Sequence, residues 1–479
     1  MSSARATPSS AAGRLERVTV LHVAILGLLS TWAFGGGAAW ARTLIAAWGS
    51  LGLLITLAAV AQRDRWREHT PSPLAWLWPA AALGLLVILG CLNPSFTAKV
   101  YLGESLLAYT GAAYPALPSS VLPSVALDHL WLFAAIYLSC FNLALTVRRR
   151  RSLRHLLVIL TVNAAVLSVL GTFQKLASDG LFFGLVRAPN PRFFATFVYS
   201  NHWAAYLTLQ LAAGVALLFY QFRRAREGAP NPLALVMGTL GLVLMALTPA
   251  LAGSRAGIIL TVVLLGAASG QALLRVAHYR RTHGQSARLP VAALVACVII
   301  AAGGAAYLGS EPLRERWRDT QGELRTGLLH ERIQLYRDTL QLAEEKPVFG
   351  WGLGSFERTL QLIRPRPLEA RRQYEHSYVE AHSDWLQALA ELGLVGTALI
   401  ALCGLVPLWS SRALAHAGTF TRYLFGGCGL VLAYAAVEFP FANPAVTIAF
   451  WTLFFAAVHY VRLNARTGAP VPPCSPSSS

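Results

Sequence analysis

The chain has 479 residues, of which 55% are hydrophobic and only 13% charged. With a mean hydropathy of +0.50, these values exclude an ordinary soluble domain and fit a polytopic membrane protein. A net charge of +18 would suggest nucleic acid in a soluble chain, but in a membrane chain it reports topology and no nucleic-acid partner is expected.

The chain is expected to be all-α. A spanning helix needs about 20 apolar residues, and about twelve such runs follow one another: 18–38, 42–61, 72–92, 127–147, 155–173, 201–220, 232–252, 256–274, 289–309, 392–411, 422–438 and 444–461. Residues 14–41 resemble a signal peptide, with Arg14, Arg17 and a small-residue site at Ala39–Ala41. A second apolar run follows at once, so they are read as an uncleaved first span. The expected organisation is a cytoplasmic tail (1–17), spans one to nine (18–309), a large outer loop (310–384), spans ten to twelve (385–462) and a tail (463–479). The Pro/Ser-rich ends, 1–13 and 467–479, are expected to be disordered.

Charge tests the ladder, because Arg and Lys near span ends favour the cytoplasmic side. With the N-terminus inside, the inner segments hold 22 Arg, including Arg148–Arg151 and Arg223–Arg226, against Glu16, Asp64, Glu68 and Glu227. All of the net charge then lies inside, and the outer side balances 18 basic against 18 acidic residues. The six cysteines show no CxxC pair and no ligand spacing, so neither a disulfide nor a metal site is indicated.

Two outer segments are long enough to fold. Residues 93–126 are rich in Tyr, Pro and Ser; they could offer an aromatic surface to a sugar or lipid, or form an interfacial Tyr belt. The stretch Glu311–Asp384 carries twelve basic and thirteen acidic residues. It contains an amphipathic helix with Leu329, Ile333, Tyr336, Leu340 and Ala343 at three- and four-residue steps, stopped by Lys346-Pro347. The glycines of "GWGLGSF" (350–356) shape a turn, since no helix-and-Lys context for a phosphate loop follows.

Spans six, eight and ten enter from outside, so their positive dipole ends and free N–H groups point at the outer surface. Each begins with a capping type: Ser200-Asn201, Ser254 and Ser383-Asp384. Beside them stand Arg187, Arg192 and His202; Arg255; and His376 and His382. Arg255 in a first helical turn opposes both the macrodipole and the orientation rule, which points to an anionic ligand. An interfacial Arg can equally snorkel to lipid headgroups, and a His at a helix start is commonly a surface residue. Chain order does not show that the three starts meet.

Four segments carry a family resemblance: "RFFATFVYSNHWAAYL" (Arg192–Leu207), "GSRAG" (Gly253–Gly257), "ERIQLYRDTLQLAEEKPVFGWGLGSF" (Glu331–Phe356) and "AHSDWLQALAELGLVG" (Ala381–Gly396). In order and spacing they resemble the signatures of the O-antigen ligase and O-antigen polymerase superfamily, and "VEFPFANPA" (Val437–Ala445) resembles its last outer turn. The resemblance implies a GT-C-like membrane glycosyltransferase of the bacterial inner membrane, with its site facing the periplasm. Its donor would be a polyprenyl (undecaprenyl) diphosphate-linked glycan, and its acceptor lipid A-core or another glycan. It also implies an essential His, which falls on His382, and Arg residues that fall on Arg192 and Arg255. Ser383 stands where Asn often follows the His, which blurs the subfamily.

The chemistry fits these residues. A glycosyl diphosphate has a good leaving group, so cations on the diphosphate and a base for the acceptor hydroxyl suffice, with no cofactor or metal. Glu391 and Glu438 are alternative bases, because carboxylates near the membrane edge are costly unless used; His376 is a weaker candidate. Alternatives of function are a protein O-oligosaccharyltransferase and, in another class, a lipid-glycan transporter, which should show midplane charge and broken helices in matching halves. A non-catalytic scaffold leaves the basic helix starts unexplained.

Overall fold

The computed structural model describes residues 10–62, 72–101, 104–177, 180–282 (apart from 183, 185, 191 and 192), 303, 328–363 and 378–466. Eight long helices come first: α1 (Ser10–Trp32), α2 (Ala39–Ala61), α3 (Trp78–Cys91), α4 (Pro123–Thr146), α5 (Arg150–Ala177), α6 (Ser200–Arg226), α7 (Pro232–Leu251) and α8 (Arg255–Thr282). The outer region supplies α9 (Leu328–Glu345) and the short α10 (Phe356–Ile363). The chain then forms α11 (Asp384–Ser411), α12 (Thr419–Tyr434) and α13 (Pro444–Arg466).

Among the described residues ten helices are long and apolar enough to cross a membrane, and the chain is an all-α polytopic membrane protein. They match the expected spans one to eight, ten and twelve. The ninth expected run, 289–309, lies outside the described residues but for residue 303, as does the tail 467–479. The eleventh is α12, whose 16 residues rise about 24 Å, short of a hydrocarbon core of about 30 Å. It nonetheless packs along α6 and α13.

Small residues let the helices approach closely. A Cβ on Gly49 of α2 would lie 3.0 Å from the Ala135 Cβ, and one on Gly52 would lie 2.8 Å from Ser139 Oγ of α4. Asn142 Nδ2 of α4 donates to Gly52 O (2.8 Å) and Thr56 Oγ1 donates to Asn142 Oδ1 (2.8 Å). In lipid, close van der Waals packing and such neutral bonds hold helices together. The most enclosed spans are α6 and α13, around which the main apolar core assembles.

The helix ends sort by charge. At one end Arg150 bonds Asn464 (2.6 Å), Arg154 bonds the Tyr460 hydroxyl (3.0 Å) and lies 4.2 Å over the Tyr220 ring, and Glu16 accepts from Arg149 N (3.2 Å). Arg-bearing ends of α5, α6 and α13 thus meet the start of α1. The starts of α6, α8 and α11 lie at the opposite end.

Residues 93–126 differ from expectation in holding a β-hairpin, β1 (Phe96–Tyr101) paired antiparallel with β2 (Glu104–Tyr109). The pair β3 (Leu181–Phe182) and β4 (Val186–Arg187) is the other sheet among the described residues. Tyr109 meets Trp351 at 5.9 Å, so the hairpin's base packs on the glycine-rich turn. The expected amphipathic helix is α9, ending at Glu345 before Pro347. Its buried side differs from the expected stripe: Leu335, Asp338, Thr339, Leu342 and Ala343 are buried, whereas Ile333 and Leu340 are 43% and 44% exposed. Leu335, Leu342 and Ala343 on that side join Trp351, Phe356 and Ala390 in one apolar cluster.

That neighbour is broken. Gly393 has φ 63° and ψ −169° inside α11, which frees backbone groups at membrane depth. Residues 347–352 fill the gap: Leu394 N donates to Pro347 O (2.8 Å), Val395 N to Val348 O (3.1 Å), Trp351 N to Ala390 O (3.0 Å) and Gly352 N to Glu391 O (2.7 Å). A Cβ on Gly350 or Gly393 would sit 2.4 Å from the opposing backbone, and both residues have positive φ. We therefore expect Gly350→Ala and Gly393→Ala each to lower the melting temperature markedly in detergent, with strain of about 1–3 kcal/mol before the clash is counted. Gly266→Ala, where a Cβ meets nothing within 4 Å, should leave it unchanged or raised.

Candidate active site

The site is assembled on Glu438, four residues past the end of α12 and 5% exposed. Its Oε1 accepts from Asn201 Nδ2 (2.9 Å), from Arg332 (3.2 Å) and from the Tyr199 hydroxyl (3.5 Å). Its Oε2 faces His382 Nδ1 at 3.7 Å, and both atoms are buried without a hydrogen-bond partner. A carboxylate at that position favours the tautomer with the proton on Nδ1 and leaves Nε2 as the basic nitrogen. The separation exceeds a hydrogen bond, and pairs of this kind tighten when substrate arrives.

His382 is held in an unusual backbone conformation, φ 54°, which costs a non-glycine residue free energy and persists only when its surroundings enforce it. The Tyr336 hydroxyl of α9 donates to His382 O (3.0 Å), and Ser383 Oγ caps α11 by accepting from Leu386 N (3.3 Å). Asp384 N donates to Ala435 O and Glu438 O, while the Asp384 carboxylate accepts from Phe441 N (3.0 Å). The start of α11 is thereby locked to the turn after α12. Phe439 lies between the two histidines, edge-on to His382 (4.8 Å) and His202 (5.2 Å) and stacked on Tyr199 (5.5 Å).

The three outer helix starts do meet. Ser254 Oγ caps α8 by accepting from Gly257 N (3.1 Å) and donates to Asn201 Oδ1 (2.8 Å). Asn201 carries that chain on to Glu438, and His202 Nε2 lies 3.2 Å from Phe439 O. Ser200 departs from expectation: Tyr199 takes the N-cap position without a side-chain cap, and Ser200 Oγ is buried and unpartnered. The Asn201 amide is drawn to the buried carboxylate instead.

Other expected residues fall differently. Arg255 opens α8 and is exposed, beside Ser254. Arg187 is exposed on β4. Arg192 and His376 lie outside the described residues. Glu391 is fully employed in holding the glycine-rich turn: its carboxylate accepts from Gly354 N (2.7 Å), Phe356 N (3.2 Å) and Gln387 Nε2 (3.3 Å).

Sequence reasoning missed Arg332, Arg42 and Glu380. Arg332 belongs to the quoted "ERIQLYRD" segment but is one of a dozen cations in the polar stretch. Burial opposes its charge, yet Glu438, with Tyr199 and Tyr336, outweighs that and holds it above its ordinary value. Arg42 carries a signal that was available: it is the only Lys or Arg between Arg17 and Arg63, placed at an outer helix start. Glu380 is pushed above the usual carboxylate range, chiefly by burial, although Gln387, Arg42 and His382 pull the other way.

Fold and geometry together define a polytopic membrane protein with a polar cluster at one end, built from helix starts around a His–Glu pair. Residues 240–401 match the family model described as O-antigen ligase, so this part of the chain is similar to that family. That match, about a third of the chain, contains Ser254, Arg255, Arg332, His382 and Glu391, while Asn201 and Glu438 lie outside it. No curated protein matches the chain.

Two measurements follow from the carboxylates. Glu391→Ala leaves two backbone donors buried without an acceptor, at about 1–3 kcal/mol each, so its melting temperature should drop by several degrees. For Glu380, whose carboxyl titrates higher folded than unfolded, the unfolded chain loses its proton first as pH rises. Stability should therefore fall with pH above the usual carboxylate range, and Glu380→Gln should flatten that part of the curve in a pH series of thermal melts.

Proposed function

We propose that the protein transfers a glycan from a polyprenyl diphosphate to an acceptor hydroxyl at the outer face of the bacterial inner membrane, as an O-antigen ligase or a polysaccharide polymerase. The observation that carries this reading is His382 set against the buried Glu438 where α6, α8, α9 and α11 converge. The O-antigen ligase match supports the glycosyltransferase class, and the gathering of Arg-rich helix ends at the far side supports a periplasmic site.

In this reading His382 takes the proton of the acceptor hydroxyl as that oxygen bonds to the anomeric carbon, whose bond to the diphosphate oxygen breaks in the same step. The anomeric centre inverts, and the polyprenyl diphosphate leaves with the electron pair. Arg255, Arg192 and the helix N-termini offset the charge that develops on it. Glu438 orients the imidazole and stabilises the imidazolium. Arginine forks match phosphate oxygens without a metal.

With purified protein, lipid-linked donor and acceptor, His382→Ala should lower transfer by about 10²–10⁴-fold, the usual range for a lost acid–base group, while donor binding persists. His376→Ala should be much milder. Arg255→Ala and Arg192→Ala should each cost about two orders of magnitude, as for a lost oxyanion donor, with poor rescue by Lys, and EDTA should change little. A His382→Ala protein that transfers at a comparable rate would remove the base role from this residue. Orientation has a separate check: reporters fused after Arg150 and after Gly322 should give opposite signals, and matching signals would overturn the periplasmic assignment. A deletion strain separates the activities: long chains lost from lipid A with lipid-linked polymer accumulating marks a ligase, and a single repeat unit on the core marks a polymerase.

A further inference from the structure

At the end of the bundle away from His382, the last turns of α8 meet the first turns of α12. Arg275 of α8 donates to Thr419 Oγ1 (2.5 Å) and lies 5.2 Å over the Phe219 ring, on which Tyr423 stacks at 5.2 Å. The Tyr423 hydroxyl donates to Ala267 O (3.5 Å). Beyond these contacts the two helices part and leave an open groove of about 410 Å³. Val263, Leu264 and Ala267 wall it on one side, and Gly426, Gly429 and Leu430 on the other. From residue 271 to residue 263 of α8 it runs about 12 Å along the helix axis, at 1.5 Å per residue.

Glycines at a helix interface ordinarily let backbones approach, as Gly427 does, where a Cβ would lie 2.5 Å from the Ala212 Cβ. Gly426 and Gly429 approach nothing: a Cβ on either meets no atom of the described residues within 4 Å. The groove is thus cut back where no described element packs. Its charged end is equally unmatched. Arg422 lines that end, exposed, with its Nε donating to Ala417 O (2.9 Å). Among the described residues its Nη groups have no acceptor, and neither Arg422 nor Arg275 has a carboxylate partner. Gln271 lines the same end, and its Oε1 is buried with no hydrogen bond, a state that calls for a donor. The stretch that follows α8, 283–310, adds His283 and Arg288 and no Asp or Glu, so the next part of the chain brings no counter-charge.

We propose that this groove binds a phospholipid with an anionic glycerol headgroup. One acyl chain lies along Gly426 and Gly429 between α8 and α12, the phosphate meets the Arg422 fork, and a headgroup hydroxyl donates to Gln271 Oε1. Basic pockets between spanning helices suit such headgroups, and the guanidinium fork matches phosphate oxygens. A free phosphate would leave the apolar length of the groove unused. The site lies apart from the His382–Glu438 cluster and does not depend on the glycan-transfer reading.

The test is native mass spectrometry of the delipidated full-length protein in detergent, titrated with phosphatidylglycerol. One molecule per chain should bind saturably and more tightly than phosphatidylcholine, and excess glycerol 3-phosphate should not displace it. Arg422→Gln should lower the affinity about fivefold or more, as for the loss of one cation's attraction. Gly426→Leu fills the groove, leaves the arginine in place and should weaken binding at least as much. Arg151→Gln removes another exposed cation from the same end of the bundle and should stay within about twofold of wild type. Thermal melts establish that each variant is folded; should Gly426→Leu fail to fold, Gly429→Leu replaces it. Equal binding of the two lipids, displacement by glycerol 3-phosphate, an equal loss in Arg151→Gln, or unchanged binding in a folded groove variant would overturn the proposal. So would a wild-type protein that takes up no phosphatidylglycerol, the result expected if the run 289–309 fills the groove.

Discussion

A single buried carboxylate sets the terms for the outer half of this molecule. Removing Glu438 from water is costly unless donors replace the lost hydration, and the donors come from elements far apart in the chain. Asn201 and Tyr199 approach from the start of α6, and Arg332 from α9. The Asn201 amide, once turned toward Glu438, presents its oxygen to Ser254 and so ties in α8. The meeting of three helix starts, which chain order alone could not establish, follows from the needs of one anion. Its second oxygen is left facing His382, so the same constraint that gathers the helices also aims the imidazole.

The break at Gly393 does comparable work for α11. A helix interrupted at membrane depth exposes backbone groups that lipid cannot satisfy, and such breaks survive only where protein or a water-filled cavity covers them. The turn 347–352 supplies that cover with four backbone hydrogen bonds, and Glu391 binds the far end of the same turn. The segment Asp384–Leu392 is thereby held to the outer region as a short helix, with His382 just ahead of its Ser383 cap. In transporters broken helices leave free ends for ions. Here the free ends are occupied by the chain itself, which separates this break from the transporter alternative.

Much of the fold was legible because bilayer thickness imposes a repeating length on apolar runs, and α1–α8, α11 and α13 answer to it. α12 is shorter than that rule requires: one face packs on α6 and α13, and Arg422, Gly426, Gly429 and Ala433 on the other are exposed. The hairpin at 96–109 escaped because Tyr- and Pro-rich composition has no strong period. The exposed Ile333 and Leu340 show the limit of a helical stripe, which reveals an apolar face without saying what it meets. At the site, His382, Asn201 and Ser254 were visible as polar groups at outer helix starts. Arg332 was hidden among cations of equal local merit, and only its tertiary partner distinguishes it. Arg42 was isolated enough to be noticed, but α2 was not counted among the starts that mattered.

On the expected topology the outer side carries as many acidic as basic residues, so any preference for an anion must arise from where the charges sit. Glu380 lies within electrostatic reach of Arg42 and His382, and the other acidic groups at the site are committed elsewhere: Asp384 accepts from Phe441 N, Glu391 from Gly354 N and Phe356 N, and Glu438 from Asn201 and Arg332. Each neutralises a donor belonging to the protein, with only Arg332 among them cationic. Three helix N-termini with Arg255 beside one of them, and Arg42 across the turn with a buried Nε unmatched, gather positive ends here although the side as a whole is balanced. Diphosphate chemistry, on the reading proposed above, needs that separation, because carboxylates free to pair with the cations would compete with the substrate for every one of them.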